Sequence, residues 1–408
     1  MTYQLFIAIY AFLARIYAWF NKKAALLVKG QGQTYDILRG KVVPGKKYLW
    51  FHAASLGEFE QGRPLMEKIR AQHPEYGILL TFFSPSGYEV RKNYEGADIV
   101  CYLPFDRKAN VRHFLDLAQP YMAFFIKYEF WKNYLDELHR RGIPTYSVSS
   151  IFRENQVFFK NYARNYAKVL TNFTHLFVQN EESCRLLAGI GLQNVTIVGD
   201  TRFDRVLQIR EAAKDLPLVE AFKGGQTTFI AGSSWQPDED LFIPYFNAHP
   251  EVKLIIAPHV IGEDHLSQIT AQLKRPYVRY TQATMENVRE ASCLIIDCFG
   301  LLSSIYRYGE IAYIGGGFGV GIHNTVEAAV YGIPVIFGPK YQKFMEAIQL
   351  IEAKGAFSIQ NEEELRSLLD RLLTDATFLK QSGRQAGDYV LSRSGASDKI
   401  LETISSKL

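Results

Sequence analysis

Cysteine is scarce in this 408-residue sequence, and metal-binding patterns are missing. The four cysteines are scattered and form no CxxC pair: Cys101, Cys184, Cys293 and Cys298. This distribution excludes a zinc-finger type of site, makes a disulfide framework unexpected in a chain of this size, and favours a reducing compartment. The histidines show no H-E-x-x-H spacing either. We therefore predict neither a metal site nor a cofactor.

The sequence also lacks internal repeats, low-complexity tracts and a strong overall charge. Hydrophobic residues make up 48% of the chain and charged residues 22%, and the net charge is only +4. These proportions are those of a globular protein rather than a disordered one. At a length of ~150 residues per domain, the chain has room for two or three domains.

The longest hydrophobic run lies at the N-terminus, from Tyr3 to Phe20, and only Gln4 and Arg15 interrupt it. About 18 apolar residues is near the minimum for a bilayer span, and the run lacks the basic start and cleavage site of a signal peptide. The first fifty residues carry eight basic side chains against one acid, which favours an anionic surface. We predict a membrane-anchor helix over residues 1–22, with the following chain on the cytoplasmic side. A buried first helix of the next domain is the alternative.

Beyond residue 47, short β-rich runs alternate with helical patterns, which is typical of parallel sheets covered by helices on both faces. Seven strands are predicted before residue 210: Tyr48–Ala53, Gly77–Phe83, Ile99–Leu103, Met122–Ile126, Thr145–Val148, His175–Gln179 and Val195–Val198. Five more follow: Thr228–Ala231, Val252–Ala257, Cys293–Ile296, Ile311–Ile314 and Pro334–Phe337. The predicted fold class is α/β, with two Rossmann-like domains (residues 23–209 and 210–408) facing across a ligand-binding cleft. Two or three helices close the chain, and the last is free to pack back on the N-terminal domain.

The stretch from Tyr48 to Glu58 places a carboxylate where a strand turns into a helix. An apolar strand pattern ends near Phe51, small residues follow, and a helical pattern begins near Gln61. The carboxyl edge of a parallel sheet is where such folds bind ligands, and the dipole of the following helix favours an anion there. Glu58 is therefore a candidate general base. A second interpretation stays open, in which Glu58 is only a first-turn acid that interacts favourably with its own helix.

A glycine-rich segment follows the predicted strand at 311–314. Its glycines are Gly315, Gly316, Gly317, Gly319 and Gly321. Glycines let backbone amides approach an anion, and a helix that begins near Asn324 adds its dipole. Asn324 is a favourable N-cap, and Glu327 stands three residues further on, at the capping-box spacing. Glu327 is thus either part of a cap or a partner for ribose hydroxyls.

Three more polar clusters follow predicted strands, at residues 127–131, 199–203 and 232–235. Polar residues at the carboxyl ends of strands line sites more often than those elsewhere. Lys127 and Arg202 are cations that suit a phosphate or a carboxylate, although surface solvation explains them equally well.

With these motifs, the sequence resembles the 3-deoxy-D-manno-octulosonic acid (Kdo) transferases of lipopolysaccharide synthesis. The likeness extends over essentially the whole chain, in the family's order and spacing: Phe51–Glu58, Glu129–Trp131, Gly199–Phe203, Ala231–Ser233, Phe299–Leu301 and His323–Glu327. Five positions depart from the usual family pattern: Lys127 in place of an acid, Lys132 in place of a proline, His259 and Val260 in place of an arginine and a histidine, and Ile322 in place of a glycine.

The resemblance implies an inverting, metal-independent GT-B glycosyltransferase of the inner membrane, acting at its cytoplasmic face. It implies transfer of Kdo from CMP-Kdo to a lipid A precursor, lipid IVA, with no nucleic-acid partner, and Glu58 matches the family's catalytic base. On the acceptor or sugar side it points to Ser55, Gly57, Glu129 and Arg202. For nucleotide binding it points to Ser233, Ser234, Pro258, Gly300, Gly317, Gly319, Gly321, His323, Asn324 and Glu327.

Two other functional classes stay open at this point. One is a GT-B enzyme that uses a UDP-sugar. The other is a membrane-tethered protein that binds nucleotides without catalysis.

Overall fold

The computed structural model describes residues 2–160, 162 and 164–408, and it separates into two compact units. Unit 1 consists of the chain up to Arg205 together with Ser394–Leu408. Unit 2 is the intervening segment, Val206–Arg393. Each unit contains one seven-stranded sheet in which every strand pairing is parallel.

The strands of unit 1 run in the spatial order β3-β2-β1-β4-β5-β6-β7. They are β1 (Tyr48–Ala53), β2 (Gly77–Phe82), β3 (Ile99–Tyr102), β4 (Pro120–Ile126), β5 (Thr145–Ser150), β6 (His175–Val178) and β7 (Val195–Ile197). The helices are α1 (Thr2–Tyr17), α2 (Lys22–Lys41), α3 (Leu56–Gln72), α4 (Pro85–Arg91), α5 (Lys108–Ala118), α6 (Lys132–Arg140), α7 (Arg164–Ala167), α8 (Glu181–Gly189) and α9 (Thr201–Glu211), which runs on into unit 2.

The strands of unit 2 run in the order β10-β11-β9-β8-β12-β13-β14. They are β8 (Thr228–Ser234), β9 (Lys253–Pro258), β10 (Tyr277–Arg279), β11 (Cys293–Ile295), β12 (Ile311–Ile314), β13 (Val335–Phe337) and β14 (Ala356–Ser358). The helices are α10 (Pro217–Lys223), α11 (Gln236–Ala248), α12 (Glu263–Gln272), α13 (Asn287–Glu290), α14 (Leu302–Ile305), α15 (Val326–Ala329), α16 (Met345–Glu352), α17 (Glu362–Thr374) and α18 (Ala376–Arg393).

The α/β class is confirmed, and all twelve predicted strands are present with bounds shifted by at most a few residues. Two strands were missed, β10 and β14. Both are three-residue strands at the edges of the unit 2 sheet. An edge strand pairs on one side only and buries few side chains, so these two leave no apolar run in the sequence.

Helix α2 was not predicted either, because small and polar residues dock it against the sheet. Gln31 Nε2 donates a hydrogen bond to the Leu103 carbonyl, and Thr34 Oγ1 donates to the Tyr102 carbonyl, each at 2.8 Å. Gly30 packs so closely that an added Cβ would lie 2.2 Å from the Tyr102 ring. Because Gly30 lets α2 approach the sheet closely, α2 lacks the apolar stripe by which an amphipathic helix is recognised in a sequence.

Helix α1 carries the predicted anchor. Among the residues that the structure describes, no single helix is long and apolar enough to cross a membrane. Helices α1 and α2 pass that test only as a pair, with a bend of 118° between them. On α1, Ile7 and Ala11 are buried, whereas most large apolar side chains are exposed: Leu5, Phe6, Ile9, Tyr10, Phe12, Leu13, Ile16 and Tyr17. This exposure disagrees with a fully buried first helix, and the membrane anchor stays a prediction.

Buried hydrogen bonds fix the start of α1 to unit 1. The Tyr3 hydroxyl donates to Asp106 Oδ2 at 2.6 Å. The same carboxylate accepts the backbone N–H groups of Asn133 and Tyr134, both at 3.0 Å, at the beginning of α6. Asp106 thus joins the first turn of α1 to α6.

The end of the chain belongs to unit 1. Asp204 accepts hydrogen bonds from the amides of Gly395 and Ser397, at 2.6 and 2.7 Å. The last helix, α19 (Ala396–Ile404), contributes Ile400, Leu401 and two further residues to a hydrophobic core of that unit.

Candidate functional site

In unit 1, the order of the strands reverses between β1 and β4, which are adjacent. Loops that leave such a switch point diverge, and ligands of open α/β sheets bind in the resulting crevice. The loop after β1 and the start of α3 carry Ser55, Gly57 and Glu58, and the loop after β4 carries Glu129. Four of the predicted site residues therefore share one edge of the sheet. Arg202 comes from α9, which follows the edge strand β7.

Glu58 lies in the first turn of α3, and its carboxylate accepts a hydrogen bond from the Ser55 hydroxyl. Ser55 stands at the N-cap position, but its side chain makes no capping bond to the helix backbone. The hydroxyl instead orients a half-buried carboxylate. Gly57 is exposed. Glu58 is thus a positioned carboxylate that also lies at the positive end of its helix.

A buried chain of hydrogen bonds lies behind these loops. His52 in β1 contacts the Glu129 carboxylate through Nε2 at 3.2 Å and Thr81 Oγ1 through Nδ1 at 2.9 Å. Glu129 Oε2 also accepts from Trp131 Nε1 at 2.6 Å. Behind His52, Trp50 Nε1 donates to Thr81 Oγ1 at 2.8 Å. Since a carboxylate can only accept from His52, Nε2 carries the proton, and Glu129 is held from two sides.

We expect His52→Phe to lower kcat/KM of the protein about tenfold or more, while the variant stays folded. The variant keeps an aromatic ring in the core but removes the Nε2 donor, and a hydrogen bond to a charged group is worth about 1.5–3 kcal/mol. The measurement is kcat/KM together with the melting temperature. His52→Gln, which retains an N–H donor, should recover part of the rate. Unchanged kcat/KM in folded His52→Phe would exclude a role for the contact.

Three non-glycine residues at strand ends have left-handed backbone conformations. Lys127 follows β4 with φ 60°, Ser149 lies in β5 with φ 57°, and Ser233 lies in β8 with φ 53°. This conformation costs such residues roughly 1–2 kcal/mol, and strained residues concentrate at functional sites. Lys127 and Ser233 each lie at the switch point of their own sheet.

Three arginines gather around Glu60, an acid of the same helix as Glu58. Glu60, two residues beyond Glu58 on α3, pairs with Arg91 at 2.8 Å and Arg205 at 2.7 Å, and Arg63 lies at 3.7 Å. These three arginines come from α4, α9 and α3, so no sequence motif reveals the cluster. The predicted cation Arg202 makes a close ion pair with Asp200, with Nε and a terminal nitrogen both 2.8 Å from Oδ2.

In unit 2, the order of the strands reverses between the adjacent strands β8 and β12. The predicted nucleotide-binding residues lie at the carboxyl edge of this sheet, at the ends of β8 and β9 and after β11 and β12: Ser233, Ser234, Pro258, Gly300, Gly317, Gly319, Gly321, His323, Asn324 and Glu327. The fold thus brings distant motifs of the sequence to one edge, and their roles in binding stay predictions.

The glycine-rich loop is held by its own hydrogen bonds. The amides of Gly319 and Gly321 both donate to the Gly316 carbonyl, at 3.0 and 2.9 Å. The amide of Gly316 donates to Asp238 Oδ2 at 2.8 Å. These three amides are committed within the protein, which disagrees with the expectation that the amides of the loop converge on an anion. The glycines instead allow tight backbone packing.

Asp238, which the sequence reasoning missed, organises this loop from the first turn of α11. Its carboxylate is almost fully buried and accepts from the amides of Gly316 and Trp235 and from the Tyr313 hydroxyl, at 2.8, 2.9 and 2.8 Å. Burial raises the pKa of Asp238. In the sequence, Asp238 is recognisable only as an acid in the first turn of a helix that follows a strand, because its partners Tyr313 and Gly316 are 75 and 78 residues away.

Three aromatic rings stack at the same edge. The His259 ring lies 4.6 Å from the Trp235 ring and 4.5 Å from the His323 ring, with interplanar angles of 23° and 24°. Trp235 Nε1 donates to His323 Nε2 at 3.2 Å. Burial, and then the neighbouring His259, lower the pKa of His323. His323 is therefore neutral at pH 7, with its proton on Nδ1, where it can donate to a ligand.

The predicted N-cap at Asn324 is wrong. Helix α15 begins at Val326, has Thr325 at its N-cap position, and contains only four residues, so its dipole is small. A left-handed turn at Gly332, with φ 72°, follows and stops its propagation. Asn324 Nδ2 instead donates to Glu327 Oε1 at 2.8 Å. Asn324 Oδ1 and Thr325 Oγ1 are buried without a hydrogen-bond partner, as expected of groups that meet a ligand or water.

Within the described ranges, no group of three or more His, Cys, Asp or Glu side chains is arranged to hold a metal ion.

Two Rossmann-like sheets, each with candidate site residues at its switch point, define the class of the protein as a GT-B glycosyltransferase fold. Solved structures share this fold. The UDP-GlcNAc 2-epimerase of Neisseria meningitidis bound to UDP-GlcNAc aligns with a TM-score of 0.62 at 13% identity, covering 88% of this chain and 100% of that one. The calicheamicin glycosyltransferase CalG4 aligns with a TM-score of 0.56 at 10% identity, covering 89% and 98%.

Sequence comparison relates the chain to one group of glycosyltransferases. Residues 28–205 match the family model described as 3-deoxy-D-manno-octulosonic-acid transferase. The 3-deoxy-D-manno-octulosonic acid transferase of Aquifex aeolicus is 27% identical over 339 residues, 81% of this chain and 87% of that protein. The enzyme of the same name from Haemophilus influenzae is 22% identical over 386 residues, 91% and 90% of the two chains. Over more than four fifths of its length, the chain is therefore similar to Kdo transferases, which are glycosyltransferases.

Proposed function

We propose that this protein moves Kdo from CMP-Kdo to a lipid A precursor, lipid IVA, with Glu58 as the general base. The observation that carries the proposal is the Glu58 carboxylate, oriented by Ser55 at the switch point of unit 1. It lies within the segment that matches the Kdo transferase model.

The chemistry that we propose for Glu58 is proton removal. As an acceptor hydroxyl attacks the anomeric carbon of Kdo, its proton passes to Glu58, the C–O bond to the CMP phosphate breaks, and the configuration inverts. A positioned base contributes about 10²–10⁴ in rate. The Ser55 hydroxyl supports this role, because it limits the orientations of the carboxylate before the substrate binds.

On the acceptor side, the arginines around Glu60 support an anionic substrate. The phosphate groups of a lipid A precursor would pair with guanidinium groups of Arg63, Arg91 or Arg205, since guanidinium matches phosphate in a bidentate manner. Glu129, held by His52 and Trp131, is proposed to contact the sugars from the neighbouring loop.

On the donor side, unit 2 offers partners for a nucleotide. The stack of Trp235, His259 and His323 presents flat rings, and base stacking on aromatic rings is favourable. Asn324 Oδ1 and Thr325 Oγ1 are proposed to meet hydroxyl groups of the bound nucleotide, which would satisfy buried atoms that otherwise lack partners.

We further propose that the protein works at the cytoplasmic face of the inner membrane, with α1 lying in the interface. The exposed apolar side chains of α1 and the lysines that follow it support this arrangement. Such helices combine an apolar face with attraction to anionic lipids.

Mass spectrometry of the reaction product tests the proposal. The full chain is incubated with lipid IVA and a CMP-Kdo generating system, and the expected product carries one or more added Kdo residues. Thermal shifts with CMP and UDP run in parallel, because a ligand of the folded protein raises its melting temperature. A rise in melting temperature with UDP but not with CMP would favour an enzyme that uses a UDP-sugar. Protection by CMP with no transfer to lipid IVA would favour a nucleotide-binding protein without catalysis.

A further inference from the structure

A cavity of about 400 Å³ lies within unit 1, next to the candidate site but separate from the Glu58 loop. Its walls come from the first turns of α1, from the loop after β4, and from the segment around Phe158. Among the lining residues that the structure describes, nine of eleven side chains are aliphatic or aromatic, and the two others are Glu129 and Gln156. The volume lies within the range of about 300–1,000 Å³ that is usual for ligand sites.

The wall of this cavity is a run of aromatic rings in contact. The Tyr166 ring lies 6.1 Å from the Tyr3 ring and 5.5 Å from the Phe158 ring, and the Phe158 ring lies 5.1 Å from the Phe130 ring. The hydrogen bond from Tyr3 to Asp106 holds the α1 side in place. The aromatic part of the wall is therefore built by side chains that pack on one another.

Among the described lining residues, the one charged group, the Glu129 carboxylate, already has hydrogen-bond partners within the protein. The Glu129 carboxylate accepts from Trp131 and contacts His52, so it does not demand a cation from a ligand. A cavity with aromatic walls and a satisfied carboxylate suits an apolar ligand.

Two features specify what kind of apolar ligand fits. Helix α1 contributes Tyr3, Phe6 and Ile7 to the wall, while the rest of the same helix exposes large apolar side chains, so the cavity continues the apolar surface of α1. A second cavity of about 490 Å³ shares Phe158 with the first and is lined by Lys160 and Lys168. An apolar chain that ends in an anionic head group matches both features.

We propose that this cavity holds one acyl chain of the acceptor lipid, an inference that rests on the proposed function. We prefer the acceptor to a bulk phospholipid because Glu129 lines the cavity and also belongs to the loop after β4, at the switch point where Glu58 lies. A lipid held by its chain here presents its sugar head to that edge of the sheet. The cavity then selects acylated acceptors and places them for transfer.

Transfer to two acceptors tests the cavity. In Val157→Trp, the larger side chain fills the cavity from a position that is 39% exposed, and Ile197→Trp, at 40% exposure outside both cavities, is the matched control. We expect Val157→Trp to raise KM for acylated lipid IVA at least tenfold while leaving transfer to its deacylated, water-soluble analogue unchanged. In the wild type, each methylene removed from the bound chain should weaken binding by up to about fourfold. Equal KM values for variant and control, or equal losses with both acceptors, would refute the proposal.

A photo-crosslinking arm separates this inference from the proposed function. Lipid IVA with a diazirine at the end of an acyl chain should label peptides that contain residues 128–131 or 156–158, and unlabelled lipid IVA should compete. Labelling confined to residues 9–20, or equal competition by phosphatidylglycerol, would overturn the inference. Specific labelling without any Kdo transfer would support the cavity and refute the proposed function. Kdo transfer without such labelling would support the proposed function and refute the cavity as the acyl-chain site.

Discussion

Replacing Glu58 with glutamine is expected to lower kcat for Kdo transfer about 10²–10⁴-fold, because the amide keeps the shape of the side chain but cannot accept a proton. The Ser55 hydroxyl can still donate to the amide oxygen, so the loop and the fold should persist. The measurement is the initial rate of transfer to lipid IVA across a range of acceptor concentrations, with the melting temperature as a check of folding.

Glu95→Gln is the matched control, since Glu95 is an exposed acid of the same unit. It should leave kcat unchanged. The CMP-induced thermal shift of Glu58→Gln should also equal that of the wild type, because Glu58 lies in unit 1 and the predicted nucleotide-binding residues lie in unit 2. A Glu58→Gln protein with normal CMP protection and near-normal turnover would end the assignment of Glu58 as the base.

Gly317→Ala is expected to lower the melting temperature by about 5–10 °C and to abolish protection by CMP. An added Cβ would lie 2.5 Å from the amide nitrogen and 2.6 Å from the Cα of Gly338. These are backbone atoms, so no rotamer change relieves the overlap. Overpacking of this kind costs about 1–3 kcal/mol or more, and 1 kcal/mol shifts the melting temperature of a unit of this size by roughly 2–4 °C.

Gly319→Ala provides the contrast two residues further on. There, the nearest atom to an added Cβ is the Gly316 carbonyl oxygen at 4.0 Å. We expect a normal melting temperature for this variant, so any loss of CMP protection reports a ligand that approaches Gly319 directly. If both alanine variants unfold at the same temperature, the tight packing of Gly317 against Gly338 is not what shapes the loop.

The sequence was sufficient for most of the fold, because buried parallel strands such as β1, β4 and β12 are continuous apolar runs. Glu58 was expected in the loop before a helix that begins near Gln61, whereas α3 begins at Leu56 and Glu58 lies in its first turn. Side-chain alternation and helix caps involve residues only a few positions apart, so they can be predicted from the sequence alone.

The contacts that the sequence pattern did not reveal depend on which strands are neighbours in the sheet. His52 and Glu129 are 77 residues apart and meet because β1 and β4 are neighbours. Asp238 and Gly316 meet in the same way across β8 and β12. The capping prediction for Asn324 failed because tertiary packing, not local preference, set the start of a four-residue helix.

The return of the chain to unit 1 has a consequence for protein synthesis. Helix α19 supplies part of the core of unit 1, yet roughly 190 residues of unit 2 are translated before it. At about 5–20 residues per second, the nascent first unit therefore waits on the order of 10–40 s with part of its core uncovered. Loss of the last dozen residues would leave every predicted site residue in place and yet uncover part of the unit 1 core, which we expect to favour aggregation and proteolysis.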